Sequence, residues 1–121
     1  MNNLFLYAAR DSSAYRQVEE YLNRISFNGC LMILPPGTKF SSPICLELRS
    51  NDCIILFAET DKDIVELISM NDEYESFRII LILKPEEQIS TNKINILSPR
   101  LIAYFDDNVD DVVKYIKNIF K

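Results

Sequence analysis

A chain of 121 residues, 48% apolar and 26% charged, has the length and make-up of one folded domain spanning 1–121, which excludes a low-complexity or largely disordered protein. The net charge of −5, with no cluster of Lys and Arg, gives no basic stripe for nucleic acid and disfavours docking on an anionic membrane. The longest apolar runs are five or six residues, far short of the ~20 that span a bilayer. Met1-Asn2-Asn3 lacks the positive start of a signal peptide, so a cytoplasmic protein is expected. Three cysteines without C-x-x-C spacing fit that compartment and read as reduced, largely buried thiols.

Five apolar runs recur along the chain: Leu4–Ala8, Cys30–Leu34, Cys53–Ala58, Ile79–Leu83 and Leu101–Phe105. Each is apolar at nearly every position, the pattern of strands covered on both faces in a parallel sheet. After the first run, Asp11-Ser12-Ser13 offers helix caps, and Tyr15, Val18, Leu22 and Ile25 follow at helical spacing. Pro35-Pro36-Gly37 breaks the chain after the second run. Ser42-Pro43 then predicts a short helix over Ile44–Arg49, holding Cys45. Thr60 and Asp61 cap the next helix, Asp63 sits in its first turn, and Ile64, Val65, Leu67 and Ile68 form its apolar stripe. The fourth crossover opens at Lys84-Pro85 with a helix start at Glu86, although Ser90-Thr91-Asn92 weakens it. Asp106-Asp107-Asn108 caps the last helix, whose buried face is Val109, Val112, Val113, Ile116, Ile119 and Phe120. These units predict a three-layer α/β/α fold around a five-stranded, mainly parallel sheet in flavodoxin-like order 2-1-3-4-5.

In such sheets ligands bind beyond the carboxyl ends of the strands. The ionisable residues expected at that edge include Asp11, Glu59, Asp61, Lys84 and Asp106. Absences narrow the chemistry. With no histidine there is no imidazole base or ligand, and with only Gly29 and Gly37 there is no glycine-rich phosphate loop. No cofactor is indicated. Asp11, Glu59 and Asp106 are candidate oxygen ligands for a divalent cation, with solvated helix caps as the plainer reading. An enzyme using Asp11, Glu59 and Lys84 finds no support in their spacing.

The layout resembles the receiver domain of bacterial response regulators across nearly the whole chain, at the level of pattern. That family carries an acidic pair after strand one, an aspartate ending strand three, a Ser or Thr ending strand four and a lysine after strand five. Here Asp11 lies late for the acidic pair, and Ala58-Glu59 ends strand three without the acceptor aspartate. Lys84 ends strand four, and Asp106-Asp107 follows strand five. The resemblance therefore implies a degenerate pseudo-receiver: a non-catalytic regulatory or protein-interaction module unable to run phosphotransfer. The alternative is a small ligand- or metal-binding protein using the carboxyl edge. Apolar residues in the fourth crossover, Ile89, Ile94, Ile96 and Leu97, exceed what its helix can bury and, with Tyr104, suggest a surface for a homodimer or protein partner.

Overall fold

A computed structural model of the chain describes residues 3–34, 36, 53–69, 78–84, 91–105 and 109–120. Five strands, β1 (Asn3–Ala8), β2 (Cys30–Ile33), β3 (Cys53–Ala58), β4 (Arg78–Leu83) and β5 (Leu101–Tyr104), form one sheet in the order β2-β1-β3-β4-β5. Every pairing is parallel. Leu4 stands opposite both Leu31 and Cys53, and Ile80 opposite Ile55 and Leu101, so the apolar runs lie side by side. The helices are α1 (Ser13–Asn23), α2 (Asp61–Ile68), α3 (Thr91–Leu97) and α4 (Val109–Ile119).

Alternation along each strand divides the core into two layers. One face of the sheet carries Leu4, Leu6, Ile55, Phe57, Ile80 and Ile82 against Tyr15, Val18 and Leu22 of α1 and Val112 and Ile116 of α4. The other carries Phe5, Tyr7, Ile54, Leu56, Ile79 and Leu81 against Ile64 and Leu67 of α2 and Ile94 and Leu97 of α3. The result is the three-layer, flavodoxin-like arrangement that the sequence predicts. Because β3 is buried at all six positions and β4 at five of six, their continuous apolar runs need no polar face.

The edge strands depart from the reading that all five runs are covered on both faces. β2 is exposed at Cys30 and partly exposed from Leu31 to Ile33, and Tyr104 of β5 is 38% exposed. Among the described residues each has a hydrogen-bonded neighbour strand on one side only, and its side chains are covered less completely than those of the inner strands. Cys53 is buried as expected, whereas Cys30 is not, because it opens the edge strand.

The helix caps follow local chemistry. Ser12 caps α1 by accepting from the Tyr15 N–H, and Thr60 caps α2 by accepting from the Asp63 N–H. Val65 is 49% exposed, outside the stripe expected for α2, because Ile64 and Leu67 already define its buried side. In the fourth crossover the described helix runs from Thr91 to Leu97 and buries Ile94 and Leu97, one turn apart. Ile94 is thus a core residue and not part of an open interface, while Ile96 is 51% exposed. α3 ends where Ser98 takes φ 51°, the left-handed conformation common just past a helix C-terminus. The predicted helix over Ile44–Arg49, with Cys45, the start at Glu86, the caps at 106–108 and Ile89 lie outside the described residues.

Candidate functional site

The carboxyl ends of the strands converge as the fold requires. The ladder runs on past the strand ends: the Leu34 N–H donates to the Leu6 carbonyl, Lys84 to Ala58 and Phe105 to Leu83. Between β1 and β3, the β1–α1 loop is joined to the start of α2. Arg10 Nε lies 3.0 Å from Asp63 Oδ1, an ion pair whose alignment falls outside that of a hydrogen bond. Arg10 Nη2 donates to Thr60 Oγ1 at 3.2 Å, and the same oxygen accepts from the Asp63 N–H at 3.2 Å. Asp63 Oδ2 accepts from the Glu59 N–H at 3.0 Å. Asp63 is the buried charged side chain among the described residues, and Arg10, half exposed, neutralises it from the solvent side.

The sequence-predicted site residues divide accordingly. Asp11 is exposed and held by Arg16 through two contacts, Nε to Oδ1 at 3.2 Å and Nη2 to Oδ2 at 2.8 Å. That hydrogen bonding holds the Asp11 carboxyl below, and the Arg16 guanidinium above, their ordinary values. Glu59 and Asp61 are partly exposed on either side of Thr60, and Lys84 is partly exposed after β4. Asp106 lies outside the described residues, and with it the Asp11, Glu59 and Asp106 grouping. Among the described residues no group of three or more Cys, Asp or Glu side chains is placed to hold a metal ion. No helix among them is long and apolar enough to cross a membrane.

A second feature lies one layer away. α1 and α4 pack on the same face of the sheet, and between them opens a groove of about 930 Å3. Its apolar lining, Tyr21, Ile25, Phe105 and Val113, is partly buried, and Tyr21 meets Phe105 edge to face at 6.1 Å. Its charged lining is exposed: Glu20 and Arg24 on the α1 side, and Asp110, Lys114 and Lys117 on α4. Glu20 is paired with Arg24, and Asp110 accepts from the Tyr21 hydroxyl at 3.0 Å. Burial, then that hydrogen bond, pushes the Tyr21 phenol above its ordinary value. Neither Lys114 nor Lys117 has an ion pair among the described residues.

Both features escape a reading of the sequence run by run. Thr60-x-x-Asp63 carries the spacing of a capping box, which was the available signal for Asp63. Nothing local pairs Arg10 with a residue 53 positions later. The groove exists only once the topology sets α1 beside α4.

No protein-family model matches the chain, and neither a curated protein nor a solved structure matches it significantly.

Proposed function

We propose that this chain is a regulatory protein-interaction module, resembling a degenerate receiver domain, that performs no phosphotransfer. The observation that carries the reading is the Arg10–Asp63 pair between the carboxyl ends of β1 and β3. A hard divalent cation needs converging carboxylate oxygens. Here a guanidinium stands at that edge, and the nearby Asp11 is engaged by Arg16. A cation brought to this edge meets like charge and has to displace an internal partner from a buried carboxylate. Glu59 after Ala58, in place of an acceptor aspartate, points the same way. The net charge of −5 disfavours phosphate backbones and anionic lipid, so the proposed partner is a protein, met in the cytoplasm.

The test is incubation with acetyl phosphate and magnesium, read by intact mass. The expected result is an unchanged mass. A stable phosphoryl adduct mapping to the Glu59–Asp61 loop overturns the non-catalytic reading.

A further inference from the structure

We infer that the groove between α1 and α4 docks an acidic amphipathic helix of a partner protein. The inference rests on reading the chain as an interaction module and adds the surface and the chemistry of the partner. Three observations lead to it.

The first is the apolar lining. Tyr21, Ile25, Phe105 and Val113 stay partly open in a groove whose neighbouring residues, Leu22, Val112 and Ile116, are fully buried. Partly open aromatic and aliphatic side chains in a concave surface are the material of interface anchors. The second is the sign of the rim. The chain is acidic overall, yet in the groove Arg24 offsets Glu20, and the charge of Asp110, which the neutral Tyr21 phenol bonds without cancelling, is outnumbered by Lys114 and Lys117. Neither lysine has an ion pair among the described residues, and with Asp110 beside them the α4 wall presents a small net positive charge to an incoming segment. Complementarity then calls for carboxylates on the occupant. The third is spacing. Lys114 and Lys117 are three residues apart in a helix, and such side chains stand on one face about 5–6 Å apart. Carboxylates at i and i+3 or i+4 of a docked helix match that interval, whereas alternate residues of an extended strand are about 6.6–6.8 Å apart. Walls built by two eleven-residue helices are each about 16 Å long, room for about three turns of a helix carrying apolar anchors at i, i+3 or i+4 and i+7.

The experiment is selection on the full chain from a displayed library that holds both amphipathic helical and extended β-patterned peptides, acidic and basic. Binding of the enriched peptides is then measured by fluorescence anisotropy at two salt concentrations. The expected outcome is enrichment of peptides with an apolar stripe flanked by Asp or Glu at helical spacing. Their affinity should fall about tenfold or more on the double charge reversal K114E/K117E, and fall with salt. Both lysines are exposed, so the variant should keep the far-ultraviolet circular dichroism of the parent. Peptides with Lys in place of the acids should recover binding to the variant. Enrichment of basic or extended peptides, affinity indifferent to K114E/K117E, or no enrichment overturns the inference. So does binding of phosphatidylglycerol vesicles that K114E/K117E abolishes while no peptide is enriched, which makes the surface a lipid site. None of these results touches the acetyl phosphate outcome, so the two readings fail separately.

Discussion

Asp63 shows how one side chain can serve two loops. Its backbone N–H is capped by Thr60, its Oδ2 holds the Glu59 N–H, and its Oδ1 faces Arg10. Removing a buried acceptor leaves its donor unsatisfied, which costs more than removing a partner that water can replace. Asp63→Ala should therefore destabilise the domain by about 2 kcal/mol, and Arg10→Ala by about 1 kcal/mol because the guanidinium is half exposed. Urea midpoints of the two variants check the order, and a larger loss for Arg10→Ala would refute it. Tyr15 is the opposite case. It is buried against Phe57, and its hydroxyl has no hydrogen-bond partner among the described residues. Burial first, then the charges of Glu19 and Asp11, pushes its phenol up to about 12 from 10.0. In the unfolded chain the phenol ionises near 10, so above that pH the unfolded state binds fewer protons than the native state. The wild type should accordingly lose stability as pH rises from about 10 towards 12. Tyr15→Phe should be neutral or slightly stabilising near pH 7 and should flatten that decline. A clear loss of stability at pH 7 in Tyr15→Phe would mean that the hydroxyl has a partner after all.

At the scale of elements, the sequence is most legible where one stripe is deep and continuous. The runs at Cys53–Ala58 and Ile79–Leu83 read as buried strands because both faces are covered, and that is how they lie. Tyr15, Val18 and Leu22 read as one face of a helix because α1 has eleven residues and a single apolar side. The reading fails where apolar residues outnumber buried positions. Val65 and Ile96 belong to helices of eight and seven residues, too short for a wide stripe, and both stand in solvent. The edge strands fail similarly, since which strand becomes an edge is decided by pairing rather than by composition. The candidate site was legible as a place, the carboxyl edge, but its contacts join loops far apart in the chain. α4 gives the sharpest contrast. Val112 and Ile116 are fully buried, while the adjacent Val113 turns towards the groove and is only partly covered. Ile116→Asp places an unpaired charge in the core and should cost about 4 kcal/mol or more, enough to unfold a marginal domain. Val113→Asp should cost about 1 kcal/mol and leave the fold intact. Thermal melts followed by circular dichroism distinguish them, and equal melting temperatures would contradict this placement of the two side chains.

For the whole molecule, the order β2-β1-β3-β4-β5 sets β3 at the centre, with β1 and β4 beside it and β2 and β5 outermost. Amide exchange should follow that rank. Protection should be highest in β3 and in the facing bonds of β1 and β4, and lowest in β2, whose side chains are the least covered. Slower exchange in β2 than in β3 would show that the edge is sealed by residues beyond those described. The same order also bears on synthesis. A chain leaves the ribosome at about 5–20 residues per second, slowly enough for completed units to pair as they emerge. β3 joins the free side of β1, and after it each strand joins the one made just before it, so β4 and then β5 are laid on a growing margin. Until β5 arrives, β4 is that margin: a six-residue strand, Arg78-Ile-Ile-Leu-Ile-Leu83, with an unpaired row of backbone groups. A bare apolar edge of that kind recruits other chains. The four residues of β5 thus cover an edge that would otherwise stay open, and a chain truncated before Leu101 should aggregate more readily than the full chain, a difference that light scattering of the two at equal concentration checks.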